Sequence, residues 1–129
     1  MKFCMLVTTA LFFSSFSCGK VEGGGNSSQV TPSLEDVFKE KNVVILDVRT
    51  PEEFAKGHVP GAVNLPVSDV ASKVEATIPN KNTPVVVHCA AGARSARAVS
   101  TMEKLGFSKL VDGKTPETVA KAKGVTLTN

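Results

Sequence analysis

The sequence contains no tryptophan and no tyrosine, and its formal net charge is only +3. Its positive charges are mostly scattered lysines rather than a continuous basic run, and no aromatic residues alternate with them. Proteins that bind single-stranded nucleic acid combine a basic groove with aromatic side chains on which bases stack. The composition therefore excludes nucleic acid as an expected partner.

Cysteine is scarce: the sequence has three, Cys4, Cys18 and Cys89. Two of them stand near the start of the chain, so the disulfide framework of a small secreted domain cannot be built. Cys89 is the only cysteine in the part of the chain expected to fold. We therefore predict that it is an unpaired and reactive thiol.

The sequence also lacks an apolar run long enough to cross a bilayer, which takes roughly 20 residues. The run from Phe3 to Phe13 is much shorter; Lys2 precedes it, and small polar residues lead from it to Cys18. This layout is typical of a secretory signal. We expect residues 1–17 to be a signal peptide and the protein to be exported.

Cys18 stands where a lipoprotein signal places its acylated cysteine, and the Gly/Ser-rich segment after it predicts a flexible tether over residues 18–29. Residues 30–129 then form one domain, because 129 residues leave no room for a second unit of ordinary size. Two locations stay open: a soluble periplasmic protein, and a lipoprotein anchored through Cys18 that faces the periplasm. We expect a monomer.

Short β-branched runs alternate with helical stretches, which predicts an α/β fold with a parallel sheet and helices on both faces. Continuous apolar runs at 43–46 and 85–87 indicate strands buried on both sides at the centre of the sheet. The count is four or five strands. The predicted strands are 29–30, 43–46, 62–66, 84–88 and 107–111, and the predicted helices are 32–39, 50–56, 67–78, 94–105 and 115–121.

A short loop of small residues connects a buried strand to a helix at Cys89. Ligands bind beyond the carboxyl ends of strands in open α/β sheets, so a reactive group is expected there. Small side chains leave backbone N–H groups free to surround a sulfur or an anion, and the following helix adds its positive end. We predict that Cys89 is exposed and has a depressed pKa. The expected substrate-binding residues are Ala90, Ala91, Gly92, Ala93 and Arg94.

Three motifs resemble, in order and spacing, those of the rhodanese family: Leu46–Phe54, Gly57–Pro66 and Cys89–Ser95. The likeness extends over about residues 30–113, and the sequence also resembles the small exported rhodaneses of the phage-shock type. It implies a five-stranded parallel sheet with helices on both sides. It also implies that Cys89 takes a sulfane sulfur from thiosulfate or a persulfide donor, becomes a persulfide, and passes the sulfur to a thiol or cyanide. Such displacements require no metal and no organic cofactor.

Other polar residues near these motifs have predicted supporting roles. Arg94 binds the sulfonate of the donor or stabilises the thiolate, with an ion pair at the helix start as the alternative. Arg49 is expected to pair with Glu53, and Asp47 to brace the active loop. His58 reads as a structural residue of a turn. His88 adjoins Cys89 but should point to the opposite side of the sheet, by strand alternation.

The chain departs from the family pattern near its end. Many members carry two glycines and a tryptophan after the last strand, whereas Asp112-Gly113-Lys114 follows Val111 here. This difference leaves the C-terminal packing open.

Two other functions compete with sulfur transfer. A cysteine phosphatase or arsenate reductase also places cysteine and arginine at the two ends of an anion-binding loop, but with five residues between them, whereas four separate Cys89 from Arg94. A rhodanese-like module that binds sulfur compounds without turnover is the non-enzymatic alternative, which retention of the cysteine disfavours.

Overall fold

Two continuous aliphatic strands lie at the centre of a parallel sheet in the computed structural model, which describes residues 32–129. The strand order is β2-β1-β3-β4, and every pair of neighbours is parallel. The described elements are α1 (Leu34–Val37), β1 (Val44–Asp47), α2 (Pro51–Ala55), β2 (Val63–Asn64), α3 (Val70–Thr77), β3 (Val85–His88), α4 (Ala93–Lys104), β4 (Leu110–Lys114) and α5 (Pro116–Lys123).

The predicted α/β fold is confirmed, with four parallel strands in residues 32–129. The expected signal peptide 1–17, Cys18, the tether 18–29 and the expected strand 29–30 lie outside the described residues. None of the helices between residues 32 and 129 is long and apolar enough to cross a membrane.

Apolar clusters cover both faces of the sheet, because alternate residues of a strand point to opposite sides. Val85, Val87 and Cys89 belong to one cluster, which α3 and α4 complete. Val86 belongs to the other, which α1 and α5 complete with Val37 and Val119. Helices therefore pack on both faces, as the continuous apolar strands predict.

The start of α2 follows directly from its sequence. Thr50 accepts a hydrogen bond from the Glu53 N–H, the Glu53 carboxylate accepts one from the Thr50 N–H, and Pro51 occupies the first turn. This capping box satisfies N–H groups that a helix start leaves without partners. The predicted helix start is thus confirmed, and it fixes the direction of the Glu53 side chain.

The last strand begins and ends later than predicted, at Leu110–Lys114 instead of 107–111. Gly106, at φ +95°, ends the turn after α4, and Phe107 N–H bonds back to Met102 O at 3.1 Å. Phe107 packs into the core instead of extending the strand. Only from Leu110 onwards does the chain pair with β3.

An irregularity in β4 brings its end to the edge where β3 finishes. The register shifts between Val87 and His88, so that Val87 faces Asp112 and His88 faces Lys114. Gly113 occupies the skipped position, and a side chain there would collide with Val119 of α5. The glycine therefore allows α5 to pack closely against this end of the sheet.

Candidate active site at the Cys89 loop

Cys89 follows β3 at the carboxyl edge of the sheet, and the loop after it leads into α4. The helix begins at Ala93, one residue earlier than predicted, and Gly92 is its N-cap residue at φ +96°. This left-handed conformation favours glycine, since a β-carbon there would be strained. The sharp turn at Gly92 folds the loop back over Cys89.

The sulfur of Cys89 lies inside the loop rather than at its surface. The residue is 1% exposed and belongs to an apolar cluster with Leu46 and Val48. The Gly92 N–H donates a hydrogen bond to Sγ at 3.0 Å. The expectation of an exposed cysteine is therefore wrong for this conformation, because Cys89 packs among the apolar side chains of the core.

Burial raises the pKa of the Cys89 thiol, but hydrogen bonds from its own loop outweigh that effect. The N–H groups of Ser95, Ala91 and Gly92 and the Ser95 hydroxyl together hold the pKa of Cys89 below its ordinary value. Donors that point at a sulfur favour the thiolate form. The predicted low pKa is confirmed, with the backbone as its main source.

Arg94 makes a bidentate ion pair with Glu53 at the carboxyl edge of the sheet, where the Cys89 loop lies. Its Nη1 and Nη2 donate to the two Glu53 carboxylate oxygens at 2.7 and 2.8 Å, and each side chain is about one third exposed. The Arg94 hydrogen bonds lower the pKa of Glu53 to about 2, with the Thr50 N–H as a second donor. Of the two roles expected for Arg94, this conformation displays the ion pair at the helix start.

The predicted pair between Arg49 and Glu53 is wrong. Arg49 instead binds Asp47, with Nε at 3.0 Å from both carboxylate oxygens and Nη2 at 2.7 Å from Oδ2, and it also donates to Gly57 O at 2.8 Å. The capping box turns Glu53 towards the start of α2, within reach of Arg94 rather than Arg49.

The Asp47 carboxylate is fully buried, and its hydrogen bonds within residues 32–129 all come from Arg49. It therefore holds the turn after β1, and its support of the Cys89 loop is indirect. The link runs through the backbone, where the Val48 N–H donates to His88 O at 3.0 Å.

The two histidines have no contact with the sulfur among the described hydrogen bonds. His88 is paired in register with Asp47, so both side chains lie on the face opposite Cys89. His88 Nε2 is 3.9 Å from Asp47 Oδ2, and neither ring nitrogen has a hydrogen-bond partner in residues 32–129. His58 stacks on Phe54 at 3.9 Å and its Nδ1 lies 3.0 Å from Phe54 O, the structural role predicted for it.

Ser95 and Asp112 are residues of the site that the sequence interpretation did not assign. Ser95 is fully buried, and its Oγ lies 2.6 Å from Asp112 Oδ1 and 2.9 Å from Gly92 O. Its position directly after Arg94, in the first turn of α4, was a usable signal for a small hydroxyl near the sulfur. Asp112 is 17 positions after Ser95 in the sequence, and the bulge in β4 brings it to the loop.

Residues 31–113 match the family model of the rhodanese-like domain. YrkF of Bacillus subtilis, whose name provisionally assigns it to sulfur carriage, is 35% identical over 100 residues, which cover 70% of this chain and 53% of YrkF. Thiosulfate sulfurtransferase PspE of Escherichia coli is 36% identical over 63 residues, covering 49% of this chain and 61% of PspE. The chain thus spans less than two thirds of the length of either relative.

A sulfurtransferase of Allochromatium vinosum is 33% identical over 87 residues, which cover 67% of this chain and 77% of that protein. Among solved structures, an Escherichia coli rhodanese with anions has a TM-score of 0.61 at 28% identity and covers 67% of this chain and 98% of its own. The rhodanese-like domain of Alr3790 from Anabaena sp. has a TM-score of 0.60 at 26% identity, with coverages of 70% and 90%.

Proposed function

The chain belongs to the rhodanese-like family, and on that basis we propose that it is a sulfurtransferase that carries sulfur on Cys89, with thiosulfate or a persulfide as donor. The single observation that supports this proposal is the sulfur environment: a cysteine whose pKa is lowered by N–H donors of its own loop, with Gly92 N at 3.0 Å. Such donors stabilise a thiolate before reaction and a persulfide anion after it.

The reaction consists of two displacements at sulfur. The Cys89 thiolate attacks the outer sulfur of thiosulfate; the new S–S bond forms as the bond to the inner sulfur breaks, and sulfite leaves with that electron pair. The resulting persulfide then gives its outer sulfur to a thiolate or to cyanide, and the Cys89 thiolate is regenerated. Charge and atoms balance in both steps, so neither needs a redox partner.

In this proposal, Arg94 and the N–H groups of the loop bind different parts of the donor. The N–H groups of Ala91, Gly92 and Ser95 hold the sulfur anion, and Arg94 exchanges one carboxylate partner, Glu53, for the sulfonate oxygens of the donor. Cys89 is only 1% exposed in this conformation, and the donor would bind beside it by taking the place of Glu53 in the ion pair with Arg94. The related E. coli structure with anions supports an anionic substrate.

The experiment is sulfur transfer from thiosulfate to cyanide, with mass spectrometry of the protein after donor is added. We expect the wild type to gain one sulfur atom and to turn over. The Cys89→Ser variant loses both properties, while Cys18→Ser, which removes the other cysteine beyond the expected signal, keeps both. If the wild type gains no sulfur from thiosulfate or from persulfide donors, the sulfurtransferase proposal is wrong.

A sulfur carrier without turnover is a second candidate, favoured by the burial of Cys89 and by the name of YrkF. The same assay separates the two functions. A carrier takes up sulfur on Cys89 and gives it to one protein acceptor, but it does not release thiocyanate repeatedly when cyanide is present. Multiple turnovers with cyanide exclude it.

We also propose export of the protein, with residues 1–17 as a signal peptide and Cys18 as the acylated residue of a lipoprotein. The support is the sequence layout at the start of the chain. Labelling of cells with a radioactive fatty acid tests the tether, with Cys18→Ala as the control. Absence of label in the wild-type protein would show that the periplasmic form is not anchored through Cys18.

A further inference from the structure

Lys114 combines a strained backbone with a place beside the reactive cysteine. Its φ is +63°, in the left-handed region that residues with a β-carbon rarely adopt. Two hydrogen bonds hold it there: its N–H donates to Asp112 Oδ1 at 3.0 Å, and its carbonyl accepts from the Cys89 N–H at 3.0 Å. Strain of this kind concentrates at functional sites.

The side chain of Lys114 starts at the rim of the Cys89 loop. A β-carbon built on Gly92 would lie 3.7 Å from Cβ and 3.8 Å from Cγ of Lys114, so the stem of the lysine runs past the bare face of Gly92. The N–H of that same glycine donates to the Cys89 sulfur. Lys114 is exposed, and its flexible four-carbon stem can carry the ammonium over the mouth of the loop.

Within residues 32–129, no carboxylate forms an ion pair with Lys114. Both terminal nitrogens of Arg94, Nη1 and Nη2, donate to Glu53. Lys114 makes no ion pair with any of residues 32–129, unlike Lys39, Lys73 and Lys109. The ammonium of Lys114 can therefore bind an anion without displacing a carboxylate of residues 32–129, whereas Arg94 must first release Glu53.

We propose that Lys114 is a specificity-determining residue, which selects anionic sulfur donors by binding their sulfonate oxygens while the outer sulfur faces Cys89. The proposal rests on the sulfurtransferase function proposed above. It assigns preference for the doubly charged thiosulfate to a residue of the last strand, outside the loop itself.

The first test compares steady-state kinetics of wild type, Lys114→Gln and Lys114→Arg. A dianion about 6 Å from an ammonium in water gains roughly tenfold in affinity, and less when salt screens the pair. We expect Lys114→Gln to raise the KM for thiosulfate about threefold to tenfold with kcat within about twofold, and Lys114→Arg to restore the KM. The effect should be smaller for the monoanion benzenethiosulfonate.

Lys104→Gln is the matched control. It removes the same charge from an exposed lysine at the far end of α4, about 16 Å from the start of that helix. Its KM for thiosulfate should equal that of the wild type. The wild-type KM should also rise with ionic strength more steeply than that of Lys114→Gln.

A second variant separates recognition from folding. Lys114→Gly removes the ammonium but suits φ +63° better than lysine does. We expect its thermal midpoint to be no lower than that of the wild type, while its KM for thiosulfate rises as in Lys114→Gln. A wild-type KM in Lys114→Gly would overturn the proposal, since only the backbone conformation would then be important at this position.

Different experimental outcomes would contradict this proposal and the proposed sulfurtransferase function. If wild type gains sulfur on Cys89 but Lys114→Gln has an unchanged KM and an unchanged salt dependence, the selection role is wrong and the transfer function stands. If wild type gains no sulfur from thiosulfate, from benzenethiosulfonate or from a persulfide donor, both are wrong.

Discussion

At the scale of single residues, the reactivity of Cys89 depends on a few hydrogen bonds rather than on a neighbouring full charge. Its sulfur is buried, which by itself disfavours the thiolate, and the N–H groups of the loop reverse that preference. Ser95 contributes to this effect through both its N–H and its hydroxyl. The serine is therefore where a small change should alter the chemistry of the cysteine.

We predict that Ser95→Ala raises the pKa of Cys89, because it removes one donor to the thiolate while burial is unchanged. The alkylation rate of Cys89 by iodoacetamide, followed by mass spectrometry of its peptide against pH, should have its midpoint below that of free cysteine in the wild type. That midpoint should move upwards in Ser95→Ala.

Ser100→Ala is the control for this prediction, because Ser100 is an exposed serine of the same helix. Its alkylation midpoint and its stability should equal those of the wild type. An unchanged midpoint in Ser95→Ala would mean that the backbone N–H groups alone determine the thiolate fraction.

At the scale of elements, α2 is joined to the Cys89 loop through one carboxylate, that of Glu53. Glu53 closes the capping box of α2 and also holds Arg94 of α4, so that a helix start and the Cys89 loop share one side chain. On the other side of the Cys89 loop, the bulge at Gly113 lets β4 end beside Cys89. It also lets α5 pack against the sheet. Both contacts can be tested separately.

We predict that Glu53→Gln lowers stability at pH 7 by about 0.5–1 kcal/mol, a range that allows for the solvent exposure of the ion pair. The pKa of Glu53 is depressed from 4.5 to about 2, so the folded state holds its carboxylate proton less tightly than the unfolded state. The stabilisation is therefore complete above pH 4.5 and is lost as the pH falls towards about 2. Urea unfolding at several pH values measures this difference.

Glu52→Gln provides the comparison, because Glu52 is adjacent and has no ion pair with Arg94. We expect it to have a smaller effect on stability than Glu53→Gln at pH 7. Equal losses in the two variants would show that only a negative charge in the first turn of α2 is important and that the pair with Arg94 contributes nothing.

We predict that Gly113→Ala destabilises the domain by about 1–3 kcal/mol, because the added methyl group would collide with Val119. Gly124→Ala is the contrasting variant: its β-carbon meets nothing within 4 Å, and its cost comes only from φ +74°. Thermal unfolding should rank Gly113→Ala below Gly124→Ala. The reverse order would mean that α5 can move away from the sheet at little cost.

At the scale of the whole molecule, both faces of the sheet are apolar, but two buried polar groups, Asp47 and His88, interrupt one of them. His88 has no solvent exposure and no hydrogen-bond partner for either ring nitrogen within residues 32–129. Burial lowers the pKa of His88 from 6.5, and the nearby Asp47 carboxylate only partly opposes this effect. Protonation of this side chain is therefore coupled to unfolding of the domain.

We predict that the free energy of unfolding falls as the pH drops below about 6.5, by no more than about 1.4 kcal/mol per pH unit for this one proton. The sign follows from the depressed pKa: the unfolded state takes up a proton at a higher pH than the folded state does. In His88→Leu the loss between pH 6.5 and 5 should be smaller. Denaturant unfolding at pH 8 and pH 5 measures this loss. An equal change in the free energy of unfolding between these two pH values in the wild type and in His88→Leu would contradict the prediction.

The pattern of the sequence was sufficient for the fold class, the central strands and the position of Cys89 between a buried strand and a helix. These features depend on local signals: runs of β-branched residues, the cap at Thr50-Pro51, and small residues between a strand and a helix. The low pKa of Cys89 was predictable for the same reason, since its main donors lie within six positions of the sulfur.

Only the tertiary structure decided the partners of the charged residues and the exposure of the sulfur. Arg49 and Glu53 are close enough in sequence to pair, but Asp47 and Arg94 bind them instead, because the cap and the strand end direct their side chains. The positions of Asp112 and Lys114 beside the Cys89 loop depend on a register shift between two parallel strands. Contacts of this kind join residues far apart in the chain, and no local pattern specifies them.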